Sequence, residues 1–342
     1  MPAESTREPV WPGPEWELAE PSADVDRSRL GDLLDRSMED VDALGLTLAV
    51  VVVRGGRVVA ERYGAETGAD TTLISWSMAK SITHALIGLL AGDGALDVVG
   101  RAPVDAWAYD DRAEITIQHL LEMTSGLQFV EDYVDAGVSD VIEMLFGAGV
   151  DDHAAFAAAF PLAVPPGTVW NYSSGTSNIL ARIAGDAVGG GREGMERYLR
   201  ERLFGPLGMT SATPKFDGAG TFVGSSYVYA TARDFARFGS LYLRDGEWDG
   251  RRILPAGWVA HAATPMRAPL PDDERHGYGA HWWSWRRDPR TLAALGYEGQ
   301  RTIVGLDRDL VVVRLGKSSA DDHVPALDDV LDEIVRCFPA SD

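Results

Sequence analysis

The chain has 342 residues, of which 45% are hydrophobic and 24% charged, a composition typical of a globular protein with about two domains. A net charge of −21 repels phosphate groups, so we expect neither nucleic acid nor an anionic membrane as a partner. The single cysteine, Cys337, excludes an intrachain disulfide. Without a basic and apolar leader or a run of about 20 apolar residues, the sequence predicts a cytoplasmic protein.

The first predicted elements are an arm, a helix and a hairpin. Residues 1–25 are rich in Pro and Glu and predict an arm that lies over the surface. Apolar residues at helical spacing predict a helix over residues 29–44. Residues 46–64 read as two strands joined at Gly55 and Gly56, which is a hairpin signal.

The middle of the chain is predicted to be helical, and its end returns to strands. Apolar spacing and glycine or proline stops predict helices over residues 77–90, 116–126, 173–188 and 195–204. A second hairpin over 301–316 turns at 307–309, and an amphipathic helix over 328–338 follows it. This order predicts an α+β fold, in which residues 26–92 and 228–342 form one α/β domain. Residues 93–227 would form an inserted, mainly helical domain.

A lysine three residues after a serine is the first chemical signal. Of 31 basic residues only Lys80, Lys215 and Lys317 are lysines. Ser77 and Lys80 share the first turn of a predicted apolar helix, whose N-terminal N–H groups favour an anionic oxygen. A buried lysine can lose its proton and act as a base, which arginine cannot do. The alternative interpretation is a helix-capping serine followed by a surface lysine.

Two later stretches carry further candidates. Tyr172 follows a Pro-Gly turn and precedes a helix, where it could pass a proton to a leaving group. The stretch from Gly296 to Gln300 opens a strand, and Gly299 would allow close backbone approach to a ligand. Taken separately, an interface tyrosine and a strand entry with a glycine bulge explain both stretches.

Together Ser-Met-Ala-Lys, Tyr-Ser-Ser and Gly-Tyr-Glu-Gly, in this order, resemble the serine β-lactamase and penicillin-binding-protein superfamily. The text around them, from about residue 45 to 335, resembles its class C-like esterase branch. The resemblance implies a β-lactamase-like fold, an antiparallel sheet flanked by helices with an inserted helical domain. It implies that Ser77 is the nucleophile, Lys80 accepts or relays its proton, and Tyr172 serves the leaving atom. Backbone N–H groups of Ser77 and Gln300 would form the oxyanion hole, with no metal and no cofactor.

Two departures from that superfamily's pattern bear on the substrate. Tyr297 stands where many members have Lys or His, and Ser174 where many have Asn. Loss of that positive charge disfavours β-lactams and cell-wall peptides, and a shorter arm at Ser174 near the substrate fits esters or simple amides. The sequence is also similar to hydrolases of 6-aminohexanoate linear oligomers. Our expectation is therefore an esterase or small-amide hydrolase. The alternatives are such an oligomer amidase, a β-lactamase or DD-peptidase, and a non-catalytic binding module on the same fold.

The remaining candidates concern the substrate pocket. Glu298, Asp132 or Asp135 could hold a substrate ammonium group, although most acidic side chains are solvated surface charges. One or two of Trp282, Trp283 and Trp285, which lie in a strand-like run, are candidates for a pocket wall, and so is Trp170 near Tyr172; core packing is the alternative for each. The expected partner is a small-molecule ester or amide. The oligomeric state stays open, with a homodimer as one option.

Overall fold

A seven-stranded antiparallel sheet forms the centre of the structure, a computed structural model that describes residues 10–132 and 139–340. The strands are β1 (Leu46–Arg54), β2 (Arg57–Tyr63), β3 (Leu73–Ile74), β4 (Thr213–Pro214), β5 (Val228–Ala230), β6 (Glu247–Trp248), β7 (Arg251–Arg252), β8 (Gly277–Tyr278), β9 (Trp283–Ser284), β10 (Thr291–Gly296), β11 (Gln300–Gly305) and β12 (Leu310–Lys317). The order across the central sheet is β2-β1-β12-β11-β10-β9-β8. Strands from both parts of the chain therefore meet in one sheet.

The two predicted hairpins are confirmed. β1 and β2 pair through a turn at Gly55 and Gly56, which have φ values of 60° and 74° that favour glycine. β11 and β12 pair antiparallel, and β12 also pairs with β1, with Val51 opposite Val313. The β-branched valines suit these central strands, because they pack well on a pleated surface.

Helices surround the sheet. They are α1 (Arg27–Glu39), α2 (Val41–Leu44), α3 (Met78–Gly92), α4 (Ile117–Leu121), α5 (Asp140–Phe146), α6 (His153–Ala158), α7 (Ser174–Val188), α8 (Gly191–Leu199), α9 (Ala232–Leu243), α10 (Trp258–Ala263) and α11 (Val324–Arg336). The predicted helix over 116–126 ends early, because Met123 adopts a left-handed conformation with φ 58°. Within the described ranges, none of the helices combines the length and apolar character needed to span a membrane.

The sheet has two buried faces. Alternation along β12 directs Val311 and Val313 toward the larger core, which includes α3 and α9, and Leu310 and Val312 toward a second core against α1 and α11. Between residues 93 and 227 the regular elements are mainly helices, α4 to α8. The small sheet β3-β5-β4 links the strand before α3 to the end of that region. The domain boundaries themselves stay a prediction.

The described part of the arm, residues 10–25, lies along the edge strand β2. Ala19 N–H donates to Val58 O at 2.9 Å, and Val58 N–H donates to Glu17 O at 3.0 Å. The buried guanidinium of Arg237 on α9 donates to the carbonyl oxygens of Gly13 and Pro14 at 2.6 and 3.1 Å. The arm is thus fixed both to the sheet and to α9.

Candidate active site

Ser77 and Lys80 lie together at the start of α3, as their spacing predicts. Ser77 is the N-cap residue, and Lys80, only 2% exposed, donates from Nζ to Ser77 Oγ at 3.0 Å. Nζ also donates to Ser174 Oγ at 2.9 Å and to Ser225 O at 3.0 Å. These three acceptors use the three N–H bonds of an ammonium group. After loss of one proton, the amine can instead accept the proton of the Ser77 hydroxyl.

Burial changes the pKa of Lys80. Because the protein around Nζ excludes water, desolvation lowers the pKa of Lys80 from 10.5 to about 8, while the negative charge of Glu131 acts in the opposite direction and raises it. At pH 7 about one lysine in eleven is then neutral, compared with about one in 3,000 at the ordinary pKa. The neutral amine is therefore accessible near neutral pH.

Tyr172 lies against the same lysine. The Nζ atom of Lys80 is 4.9 Å from the centroid of the Tyr172 ring. Burial, together with the charge of Glu131, raises the pKa of Tyr172 above its ordinary value, and hydrogen bonding with Ser77 and the charge of Arg301 partly offset this rise. The phenol is therefore protonated at neutral pH.

Ser174 is not a substrate-facing arm, and that expectation is corrected. Its side chain is fully buried at the start of α7, where it accepts from Lys80. Its backbone N–H and Oγ donate to the two carboxylate oxygens of Glu131 at 2.7 and 2.6 Å. Ser174 is thus the middle member of a chain Lys80–Ser174–Glu131.

The sequence analysis did not identify Glu131, whose position depends on the residues around it. The preceding N–H, that of Val130, donates to Asp140 Oδ2 at 2.8 Å. Asn171 Nδ2 donates to Phe129 O at 3.0 Å, which ties this segment to the loop that carries Tyr172. Glu131 and Ser174 are 43 residues apart in the sequence, so no local sequence pattern predicts their contact.

A cleft of about 210 Å³ opens beside Ser77. Its other lining residues are Tyr172, Trp283, Leu295, Gly296, Tyr297, Glu298, Gly299, Arg301, Ala320 and Val324. Trp283 and Tyr172 form an aromatic side of the cleft, with ring centroids 5.5 Å apart. The buried cation Arg301 donates from Nε to Asp328 Oδ1 at 2.9 Å, so an internal carboxylate already neutralises it.

Two aromatic expectations come out differently. Trp282 is fully buried in the core, with its ring 4.3 Å from that of Tyr242, and it does not line the cleft. Its neighbour Trp283 does, because successive strand residues face opposite sides. Trp170 lies behind the cleft, 6.1 Å from Tyr172 and 5.9 Å from Trp283 between ring centroids. Trp282 is therefore withdrawn as a pocket residue, and Trp170 supports the wall from behind.

The structure does not favour Gln300 as an oxyanion donor. Its backbone N–H donates to Tyr297 O in the turn before β11. Its side chain is buried and bonded to the backbone of Gly316, with Nε2 to O at 2.6 Å and N to Oε1 at 2.9 Å. Gln300 is also absent from the residues that line the cleft. Its N–H is committed to the turn, and we correct that expectation.

The turn that precedes Gln300 does line the cleft. Tyr297 is 41% exposed, and Glu298 Oε2 accepts from Trp76 Nε1 at 3.1 Å. Gly299 has φ 78°, and a Cβ atom there would come within 2.7 Å of Arg314 Nη1. The close approach that requires glycine is therefore to a buried arginine of the protein itself.

The remaining acidic candidates are not among the residues that line the cleft. Asp132 is exposed, and Asp135 lies outside the described residues. His84 on α3 is fully buried and paired through Nδ1 with the Tyr242 hydroxyl at 2.7 Å, which is a structural contact. Among residues 10–132 and 139–340, no group of three or more His, Cys, Asp or Glu side chains is arranged to hold a metal ion.

The antiparallel sheet, and the contact of the cleft-lining Ser77 with the buried Lys80, define the protein as a serine hydrolase. The chain belongs to the Beta-lactamase family, whose profile matches residues 32–334. It is 28% identical over 335 residues to the 6-aminohexanoate-dimer hydrolase of Paenarthrobacter ureafaciens, covering 92% of this chain and 81% of that protein.

Solved structures show the same fold. A Bacillus anthracis protein provisionally named a 6-aminohexanoate-dimer hydrolase superposes with a TM-score of 0.75 at 23% identity, covering 96% of this chain and 89% of that one. A family VIII carboxylesterase superposes with a TM-score of 0.66 at 15% identity, covering 94% and 99%. At these identities the superpositions support the predicted β-lactamase-like architecture and carry no substrate.

Proposed function

We propose that the protein hydrolyses carboxylic esters or small linear amides through an acyl-enzyme on Ser77. The observation that carries this proposal is the buried Lys80 amine, 3.0 Å from Ser77 Oγ, with a pKa of about 8. A serine hydroxyl is a weak nucleophile until a neighbouring base takes its proton. Lys80 supplies that base without a metal.

The reaction follows from these positions. As Ser77 Oγ bonds to the substrate carbonyl carbon, its proton passes to Lys80 Nζ, and the carbonyl oxygen becomes an oxyanion. Tyr172 gives its proton to the departing alcohol or amine, and the Lys80 ammonium returns one to the phenol. Water then attacks the acyl-enzyme by the reverse relay and releases the acid and Ser77. Because Lys80 and Tyr172 share a proton, apparent pKa values belong to the pair.

We place the oxyanion between two backbone N–H groups, those of Ser77 and Tyr297. The first lies at the N-terminus of α3, where the helix dipole favours negative charge. The second belongs to the cleft-lining turn, directly after Gly296. A Cβ atom on Gly296 would lie 2.4 Å from Ser75 O, so this backbone passes close to the residues just before Ser77. Donors aimed at the developing charge commonly contribute about 10²–10³ in rate.

The cleft favours substrates with small acyl groups, and it does not require a carboxylate on the substrate. A volume of about 210 Å³ with an aromatic side suits a short alkyl or aryl chain. Tyr297 provides no positive charge, and Arg301 is ion-paired with Asp328. These features argue against β-lactams and cell-wall peptides, although the family takes its name from such activity.

A second candidate is an amidase for linear oligomers of amino acids. The carboxylate of Glu298 lines the cleft, where it could meet a substrate ammonium group. The 28% identity with a 6-aminohexanoate-dimer hydrolase over most of the chain also favours this candidate. A binding module without catalysis is the rival from another class, and it predicts that Ser77 does not become acylated.

The test is p-nitrophenol release from acetate and butyrate esters, with Ser77→Ala as the decisive variant. A loss of at least about a thousandfold is expected for a nucleophile that acts as part of a unit. Ser81→Ala is the matched control, because Ser81 lies on the same helix and donates to His281 O at 2.8 Å, away from the cleft. Equal slow release by wild type and Ser77→Ala would contradict the proposal.

Two further measurements separate the alternatives. Mass spectrometry after a fluorophosphonate probe should show one adduct on Ser77, and an unlabelled protein would favour the binding module. Nitrocefin and linear 6-aminohexanoate dimer, assayed in parallel, distinguish a β-lactamase and an oligomer amidase from a simple esterase by the ratio of their kcat/KM values.

A further inference from the structure

We infer that Trp76 and Glu298 form a latch that sets the spacing of the oxyanion hole. The Trp76–Glu298 latch is the hydrogen bond from the indole Nε1 to the carboxylate Oε2, 3.1 Å long. Trp76 directly precedes Ser77, and Glu298 directly follows Tyr297. The bond therefore ties together the two segments to which the proposed oxyanion donors belong. This inference rests on the proposed function, since it concerns how that site is held.

Both latch residues have an unusual backbone. Trp76 has φ 43° and Glu298 has φ 59°, in the left-handed region that residues other than glycine and asparagine rarely adopt. Such conformations cost about 1–3 kcal/mol each and persist only where the surroundings hold them. Two such residues, one beside Ser77 and one in the cleft-lining turn, joined by a hydrogen bond, indicate a geometry maintained for function.

Further contacts hold the same two segments. The rings of Trp76 and Tyr297 meet edge to face, with centroids 5.6 Å apart at 88°. Behind them, the missing side chain of Gly296 lets that backbone approach Ser75 O, which a Cβ atom would meet at 2.4 Å. The indole thus contacts the turn through both its ring and its N–H, and the N–H forms the hydrogen bond.

The turn is anchored on its other side as well. The carbonyl oxygen of Glu298 accepts from Arg314 Nη1 at 2.9 Å and from Ser318 N–H at 3.0 Å. These bonds fix the backbone of the turn to β12 and to the chain after it. The side chain of Glu298 then connects this anchored turn to Trp76 through a hydrogen bond. We assign Trp76 and Glu298 as positioning residues, which act on the substrate through the backbone at Ser77 and Tyr297.

This role differs from the recognition of a substrate ammonium by Glu298. A positioning residue affects the transition state of every substrate, because a misplacement of about 1 Å can cost about a hundredfold in rate. An ammonium ligand affects only amino-bearing substrates, and it does so mainly through KM. Neutral esters therefore separate the two roles.

The experiment compares Trp76→Phe and Glu298→Ala, each alone and together, on p-nitrophenyl butyrate. Each single change should lower kcat by at least about tenfold with KM within about threefold, since it loosens a transition-state contact. The double variant should lose no more than about threefold beyond either single variant, because both remove the same bond. Glu298→Gln, which keeps an acceptor oxygen for the indole, should restore kcat to within about threefold of wild type.

A matched control and a second readout separate positioning from folding. Trp258→Phe also removes an indole N–H, one that donates to His84 O on α3 at 3.1 Å, and it should leave kcat unchanged. Phenylboronic acid forms a tetrahedral adduct with an active serine, so its inhibition constant should rise in parallel with the loss of kcat/KM. A structural defect would lower the midpoint of thermal unfolding, and the inhibition constant would then not follow the loss of kcat/KM.

The outcomes are distinct. A smaller loss in either single variant, or losses that multiply in the double variant, overturns the latch. A rise in KM confined to amino-bearing esters, equal in Glu298→Gln and Glu298→Ala, overturns it in favour of ammonium recognition. If wild type and Ser77→Ala are equally inactive, the proposed function fails first. An active wild type, an inactive Ser77→Ala and unaffected latch variants remove the latch alone.

Discussion

Neutralising the carboxylate of Glu131 should move the pH profile of the reaction to lower pH. Lys80 serves as a base only when it is neutral, and its pKa of about 8 predicts that kcat/KM rises with pH through a midpoint near 8. The negative charge of Glu131 favours the ammonium form and so raises this pKa. In Glu131→Gln that influence is lost, and the neutral amine becomes available at lower pH.

The size of the shift follows from two hydrogen bonds. Distances of 2.9 Å from Lys80 Nζ to Ser174 Oγ and 2.6 Å from there to Glu131 Oε1 limit the separation of the two charges to 5.5 Å. At an effective dielectric constant of about 20, this separation corresponds to about 3 kcal/mol, or about 2 pH units. Glu131 is half-buried, so solvent screens part of this energy. We expect a fall of about 1–2 pH units in the midpoint.

The assay is kcat/KM for p-nitrophenyl butyrate between pH 5.5 and 9.5. The side-chain oxygen of glutamine can still accept from the Ser174 hydroxyl, so the high-pH plateau should change less than the midpoint. Glu143→Gln is the control. Glu143 lies on α5, and its carboxylate accepts from Ala148 N–H at 3.2 Å, so this variant should leave the pH profile unchanged. An unmoved midpoint, or one that moves to higher pH, would refute the electrostatic role of Glu131.

Three other substitutions test the placement of single residues. Trp282→Leu should lower the free energy of unfolding by about 2–4 kcal/mol in urea titrations without altering KM. Trp283→Leu should raise KM and leave the free energy of unfolding unchanged. The reverse pattern would contradict the orientations of the two side chains. Tyr297→Pro removes the proposed oxyanion N–H and should cost about 10²–10³ in kcat, whereas Tyr297→Ala should cost under tenfold; equal losses would exclude that donor. Proline fits there because Gly296 is extended at ψ 156°. Arg237→Met should speed proteolysis within residues 10–25 severalfold, and an unchanged cleavage rate would mean that β2 alone holds the arm.

Local spacing carried most of what the sequence predicts correctly. Ser77 and Lys80 are neighbours on one helical turn, so their contact depends only on the helix forming. The two hairpins depend on glycine turns and alternating valines, which are local signals as well. The order of three short motifs then predicted the family, because unrelated chains seldom repeat that order.

The errors concern features that local spacing does not determine. Which face of the sheet each strand residue points to decides whether Trp282 or Trp283 faces the cleft, and the sequence leaves that assignment open. Left-handed backbone at Glu298 shapes a turn in which the Gln300 N–H donates to Tyr297 O, and residue spacing alone does not reveal that contact. Glu131 is distant in sequence from every residue that it serves, and only the folded chain brings it there.

The arm that lies along β2 affects how copies of this chain can associate. An edge strand offers unpaired N–H and C=O groups to any other strand, and β2 is one end of the seven-stranded sheet. At Val58 the arm occupies both backbone groups that an incoming strand would use. The chain thereby acts as its own blocking strand, and a variant shortened past Ala19 would present that edge to its neighbours as a template for aggregation.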